Sequence, residues 1–202
     1  MSRLLAPARY EQIKCIAADF IEDYALAYPL RPLKIADQLG VHVSIHAGEL
    51  PSTGRYCPTT DGFTEPFTSR HGTKFTIHAT GAVSERRQRF TLMHELAHIW
   101  LDHPRADSSL TDDRAEGEAN FLAGYLLAPD VLVVEWVPDL SVNGISETFD
   151  VSDDAAQQIF DRVFRARNLG VIGKSHDHRI LDAATRHILT DEDVVGRFLW
   201  LA

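Results

Sequence analysis

The sequence predicts an α+β fold: helices packed with one small antiparallel sheet, followed by a helical C-terminal extension. Three observations carry this. Apolar residues recur at helical spacing before residue 28 and again after residue 84. Three short stretches between residues 41 and 79 read as strands. Beyond Pro129 the chain is mostly helical, with short polar breaks. The composition, 45% hydrophobic and 24% charged, is that of a folded globular chain and excludes a disordered or collagen-like one.

The elements follow in order. A helix is expected from about Pro7 to Tyr28, with Tyr10, Ile13, Ile16, Ala17, Phe20 and Ile21 on one side. Pro29 and Pro32 end it. A short helix, Leu33 to Leu39, stops at Gly40, which tolerates the left-handed backbone that closes a helix. Val41 to His46 alternates apolar and polar, as a half-buried strand does. Gly48 to Thr60 reads as a loop, and Gly62–Thr64 and Lys74–Ala79 as two further strands. Ser84 is a candidate N-cap with Glu85 well placed against the helix dipole. The helix it opens is expected to reach about Asp102. Its Phe90, Met93, Leu96, Ala97, Ile99, Trp100 and Leu101 wrap most of the cylinder, which predicts burial on nearly all sides. A polar loop, Pro104 to Asp113, leads to a helix from Arg114 to Leu127, stopped by Pro129.

Two parts are expected: a core over residues 1–130 and a helical extension over 131–202. In the extension, Ser146 to Gly170 has a helix-turn-helix character, with a short helix at Val151–Asp154 and a second one after it. Phe149, Val151, Ala155, Ile159, Val163 and Phe164 are its expected packing positions. Asp150, Asp153, Asp154 and Asp161 would repel phosphate, so a structural or docking role is expected instead of DNA binding.

Charge and cysteine content narrow the function classes. Lys and Arg number 20 and Asp and Glu 29, a net charge of −9, which argues against direct nucleic-acid binding. No run approaches the ~18 consecutive apolar residues of a membrane span, and the N-terminus has no signal-peptide h-region. Two cysteines, Cys15 and Cys57, build no disulfide framework. A cytoplasmic protein is expected.

The chemistry lies in His94-Glu95-Leu96-Ala97-His98. Residues i and i+4 share one helix face, with Cβ atoms ~5–6 Å apart, so two imidazoles there reach one metal ion. Glu95 lies about 100° round, beside the open coordination position. This is the arrangement of two ligands and a general base seen in zinc peptidases. A third ligand is required, and Glu116 and Glu118 on the next helix are the candidates. They point in nearly opposite directions. Glu116 shares a face with Ala119, Asn120, Ala123 and Leu127, small near the carboxylate and apolar beyond, which suits close approach to the metal helix. Glu116 is therefore the expected ligand, Asn120 a candidate partner for it, and Glu118 a solvated carboxylate.

These residues resemble a known family. Arg89-Phe90-Thr91-Leu92-Met93-His94-Glu95-Leu96-Ala97-His98, then Glu116-Gly117-Glu118-Ala119-Asn120-Phe121-Leu122-Ala123 and Leu126-Leu127-Ala128-Pro129, are similar to the signature blocks of the ImmA/IrrE metallopeptidases. Leu39-Gly40-Val41-His42-Val43 resembles the family's entry to its first strand, and Ile145 to Ser152 its post-catalytic segment. Ala97 stands where many members have Gly, and Ala128 where many have Met. The resemblance covers roughly Leu33 to Gly170. It implies a zincin-like core, with metal ligands at His94, His98 and Glu116. It also implies intracellular cleavage of helix-turn-helix transcriptional repressors in stress responses or in the control of mobile elements.

A zinc ion is the expected cofactor, with manganese or iron as alternatives. Glu95 is the expected catalytic base. Tyr56, Tyr125 and His78 are candidates for stabilising the oxyanion. Cys57 is a candidate thiol for holding the enzyme latent. His176-Asp177-His178, in a Gly-Lys-Ser context, is expected to be solvated. Two functions are in view: a zinc peptidase acting on a repressor, or a metal-dependent partner that sequesters a regulator without cutting it. The intact Glu95 favours the first.

Overall fold

The structure is a computed structural model and describes residues 5–48, 50–51, 61–70, 72–103 and 112–190. The chain divides into two compact units. One holds the residues up to Ile13 together with Arg31–Leu127. The other holds Lys14–Leu30 together with the chain from Ala128 onward. The second unit takes up the later chain at Ala128 and also includes segment 14–30.

The first helix, α1, covers Pro7–Asp23. It ends before the expected Tyr28 because Ala25 takes a left-handed turn (φ 49°), ahead of both prolines. In the first unit, α2 (Pro32–Gln38) starts with proline at its first position, where no backbone N–H is needed. Gly40 (φ +66°) then turns the chain into β1 (His42–His46). β2 (Gly62–Ser69) and β3 (Gly72–Thr80) are longer than expected and form a hairpin.

The strand order is β1-β3-β2. β2 pairs antiparallel to β3, but β1 pairs parallel to it, so the sheet is mixed and not antiparallel as expected. Side-chain alternation fixes the face each residue takes, not the sense in which strands pair. Gly62, Thr64, Ile77 and Ala79 share the face turned to α3 (Glu85–Trp100). α3 packs against α4 (Asp112–Leu127), and buried Met93, Leu96, Ala119, Leu122 and Ala123 belong to the core of this unit.

Ser84 caps α3 as expected: its hydroxyl accepts from the Arg87 N–H at 3.3 Å. Gly62 is where β2 comes closest to α3. A Cβ there would lie 2.7 Å from Thr91 Cγ2 and 2.9 Å from the His78 carbonyl oxygen.

The second unit holds α5 (Asp130–Trp136), α6 (Val142–Phe149), α7 (Asp153–Asn168) and α8 (Ser175–Thr190). Asp130 is fully buried and is held by Lys14 at 3.2 Å and Arg162 at 2.7 Å. Between α6 and α7, Asp150 takes the left-handed conformation (φ 51°), and Ser152 caps α7 by accepting from the Ala155 N–H. Val151–Ser152 is thus the break between helices and not the short helix expected there. Phe149, Val151, Ile159 and Val163 are buried as expected, with Ala156 in the place foreseen for Ala155. Phe164 is 51% exposed and stacks on Phe160 along the same helix, so it is not a packing position.

His176 and Asp177 are buried, contrary to the solvated reading. Asp177 accepts the Gly173 and Lys174 N–H groups at 2.9 and 3.0 Å, which satisfies the entry to α8. An 18-residue window within Asp113–Trp136 has a mean hydropathy of 1.2, and 67% of it is buried within the protein.

Candidate metal centre

His94 and Glu95 lie on the buried length of α3, where few unpaired polar groups are tolerated. His94 Nε2 and His98 Nε2 are 3.0 Å apart. Glu116, from the first half of α4, places one carboxylate oxygen 3.3 Å from His94 Nε2 and the other 3.3 Å from His98 Nε2. The three donor atoms lie within 4.8 Å of one another. Hydrogen bonds from His94 and His98 outweigh partial burial and hold the Glu116 carboxyl well below the usual carboxylate range.

This donor set fits a divalent metal. Bonds of ~2.0–2.1 Å in a tetrahedron put ligand atoms about 3.3 Å apart, close to the separations here. Two imidazoles and one carboxylate make a three-residue set that leaves a fourth position for water or substrate.

Glu95 is not one of the three donors. It is 4% exposed, and burial raises its carboxyl above the usual range, against the lowering effect of a hydrogen bond from Thr64. The Thr64 hydroxyl donates to Glu95 Oε2 at 2.7 Å. Gly62 makes this contact feasible, since a larger residue two positions earlier would collide with Thr91 and push β2 away from α3. Thr64 was not identified from the sequence. The available signal was a polar residue at an inward position of a strand, pairing across to the fully buried Ile77.

The other candidates separate clearly. Tyr56 and Cys57 lie outside the described residues. Tyr125 is fully buried and stacks on Phe121 at 5.8 Å. It stands nine residues beyond Glu116, about 13 Å along the helix, too far to reach the donors' common point. His78 is on the sheet face opposite Thr64, 2.9 Å from His46, 3.6 Å from Glu65, and stacked on Phe63. The geometry therefore brings neither residue to the triad. Asn120 is exposed one turn beyond Glu116 and makes no hydrogen bond to it among the described residues.

Glu118 corrects the sequence reading most directly. It is fully buried, not solvated. Arg9 and Arg114 both donate to it, Arg114 at 3.0 Å, and His103 Nε2 lies 3.5 Å away. Burial opposes its ionisation, but the hydrogen bonds and charges of Arg9 and Arg114 prevail and hold its carboxyl below the usual range. The two glutamates of α4 thus do point apart, as helical phase requires: Glu116 to the histidine pair and Glu118 to the arginines.

The sequence profile of the IrrE N-terminal-like domain, a peptidase family, matches residues 36–157. A solved structure described as a Mycobacterium tuberculosis transcriptional regulator is similar at 15% identity, over 73% of this chain and 50% of that one, with a TM-score of 0.35. This chain therefore spans half the length of that structure. No curated protein matches. The profile match covers more than half of the chain and includes the sheet, His94, His98 and both glutamates of α4, and on that evidence the chain belongs to the ImmA/IrrE peptidase family.

Proposed function

We propose that this protein is a zinc-dependent endopeptidase of the cell interior, that α3, α4 and the sheet form its zincin-like core, and that its substrate is a helix-turn-helix transcriptional repressor. The observation that carries the reading is the division of labour on one turn of α3. His94 and His98 converge with Glu116, while Glu95 between them is held apart by Thr64.

His94, His98 and Glu116 would hold the ion. A bound zinc supplies Lewis acidity toward a peptide carbonyl and makes water acidic enough to be deprotonated near neutral pH. Glu95 takes that proton and later returns it to the leaving amine. Thr64 occupies Oε2, which leaves Oε1 as the oxygen that accepts the proton. Burial raises the affinity of Glu95 for a proton, which suits a base that must also act as an acid.

The repressor assignment rests on the family resemblance and on charge. At −9 the chain attracts a partner that is basic on its DNA-binding face, and such steering weakens with salt.

The test incubates zinc-loaded protein with casein and, separately, with a helix-turn-helix repressor encoded beside it, and follows both by mass spectrometry. The expected result is one or a few cuts in an exposed segment of the repressor, slow or no digestion of casein, and no cutting by the Glu95→Gln variant. Rapid loss of casein would refute the specificity. Tight repressor binding without cleavage, with zinc, manganese or iron, would replace the peptidase with a sequestering partner.

A further inference from the structure

The metal-facing side of His98 is its Nε2, and its other ring nitrogen also has a partner. His98 Nδ1 lies 2.9 Å from His103 Nδ1, with the two rings at 71°. The His103 side chain is 6% exposed, and its Nε2 lies 3.5 Å from Glu118 Oε2. Glu118 in turn is held by Arg9 and Arg114.

Proton positions along this chain are determined by its two ends. A neutral imidazole that offers Nε2 to a metal carries its proton on Nδ1. His98 therefore donates from Nδ1, and His103 Nδ1 must accept with a bare lone pair. The His103 proton then sits on Nε2, which makes no hydrogen bond among the described residues but lies within ion-pair range, 3.5 Å, of the Glu118 carboxylate that Arg9 and Arg114 keep ionised. Each group from His98 to Glu118 has one protonation state compatible with its neighbours.

His94 shows the contrast. Its Nδ1 is buried with no hydrogen-bond partner among the described residues. One ligand is thus supported from behind and the other is not.

We propose that His103 is a positioning residue for the metal centre: it locks His98 in the Nδ1–H tautomer and couples it to the charge of Glu118. Partners of this kind orient a ligating imidazole and raise its basicity. The proposal rests on the reading of His94, His98 and Glu116 as metal ligands.

The experiment measures zinc affinity of the full chain against a competing chelator, alongside melting of the zinc-free protein. His103→Phe keeps ring volume but removes the acceptor, and is expected to bind zinc about 10- to 100-fold more weakly. His103→Asn, whose Oδ1 can accept from His98 Nδ1–H, is expected to retain most of the affinity. In the zinc-loaded wild type, nitrogen NMR of the imidazoles should show His103 protonated at Nε2 and bare at Nδ1. Wild-type affinity in His103→Phe would overturn the proposal, and so would a proton on His103 Nδ1. If His103→Phe fails to fold, the NMR assignment decides alone. His94→Ala separates the two levels. Undiminished zinc binding in that variant removes the metal site itself, whereas loss there with none in His103→Phe removes only the role of His103.

Discussion

Each unit of this protein gathers charge, and the two do so in opposite ways. In the second unit one carboxylate, Asp130, faces two protein cations, Lys14 and Arg162, and all three are buried or nearly so. In the first unit the carboxylate of Glu116 meets two imidazoles, whose Nε2 atoms also face one another at 3.0 Å. The Asp130 cluster is complete within the protein. The Glu116 cluster presents lone pairs to a common point, an arrangement that a divalent cation satisfies. A network that balances itself supports a fold, whereas a set of converging donors binds something else. Glu118, only two residues from Glu116, belongs to the self-balanced kind.

The largest expected effect tests the balanced side. Asp130→Ala removes the buried anion that Lys14 and Arg162 share and should cost about 3–5 kcal/mol in urea unfolding, with zinc affinity unchanged. Replacing Asp130, Lys14 and Arg162 together by Leu, Met and Met should restore much of the loss, since apolar packing can substitute for a buried ion network. The pH dependence has a definite sign. Burial opposes the Asp130 charge, but Arg162 and Lys14 prevail and hold its carboxyl below the usual range. The unfolded chain therefore takes up this proton first, near pH ~3.9. The stabilisation is full above that pH and is lost as pH falls through the lower native value. The stability gap between wild type and Asp130→Asn should be constant from about pH 7 to 5 and narrow below about 4.

The next effect separates the two glutamates. Glu118→Ala should cost about 3 kcal/mol, because it removes the buried carboxylate that Arg9, Arg114 and His103 all face. Glu116→Ala, at a side chain 44% exposed, should change zinc-free stability by no more than about 0.5 kcal/mol and abolish tight zinc binding. The reverse pattern would mean that the two carboxylates had exchanged roles.

Added metal comes third. Free zinc at 100 times its Kd should stabilise the wild type by about 2.7 kcal/mol, reversibly on adding a chelator, and leave His98→Ala unchanged. Asp130→Ala should show the same increment as wild type, since its defect lies elsewhere. The smallest effect concerns Thr64. Thr64→Val removes one hydrogen bond from buried Glu95 and should cost about 1–2 kcal/mol. It should also lower kcat more than it alters KM, with Thr64→Ser restoring both.

What the sequence revealed about the site is what depends on short-range spacing. His94, Glu95 and His98 are legible because one turn of helix relates them, and Glu116 because helical phase sets it apart from Glu118. What it did not reveal depends on pairing across the fold. Alternation marked β1, β2 and β3 but gave no sense of direction, so the parallel pairing of β1 was missed. Thr64 reaches Glu95 from a strand 31 residues earlier, and Arg9 reaches Glu118 across 109 residues. Arg114 was within reach of inspection, since i and i+4 charges of opposite sign on a helix pair readily. His103 was not. On a continued helix it would sit about 140° round from His98, but Asp102 takes a left-handed turn (φ 58°) that ends the helix first.

The path of the chain between the units bears on how the protein is made. Lys14–Leu30 leaves the ribosome before Arg31–Leu127, the larger part of the first unit, but the rest of its own unit begins only at Ala128. At roughly 5–20 residues per second, that interval lasts on the order of 5–20 s. Throughout it, the apolar face of Ala17, Ala18, Phe20 and Ile21 has been synthesised ahead of α5 to α8, the helices of the unit that buries it. That segment is where a nascent-chain chaperone would bind. A fragment ended at Leu127 would keep residues 14–30 without α5 to α8, so expressing the first unit alone calls for removing or redesigning that segment as well.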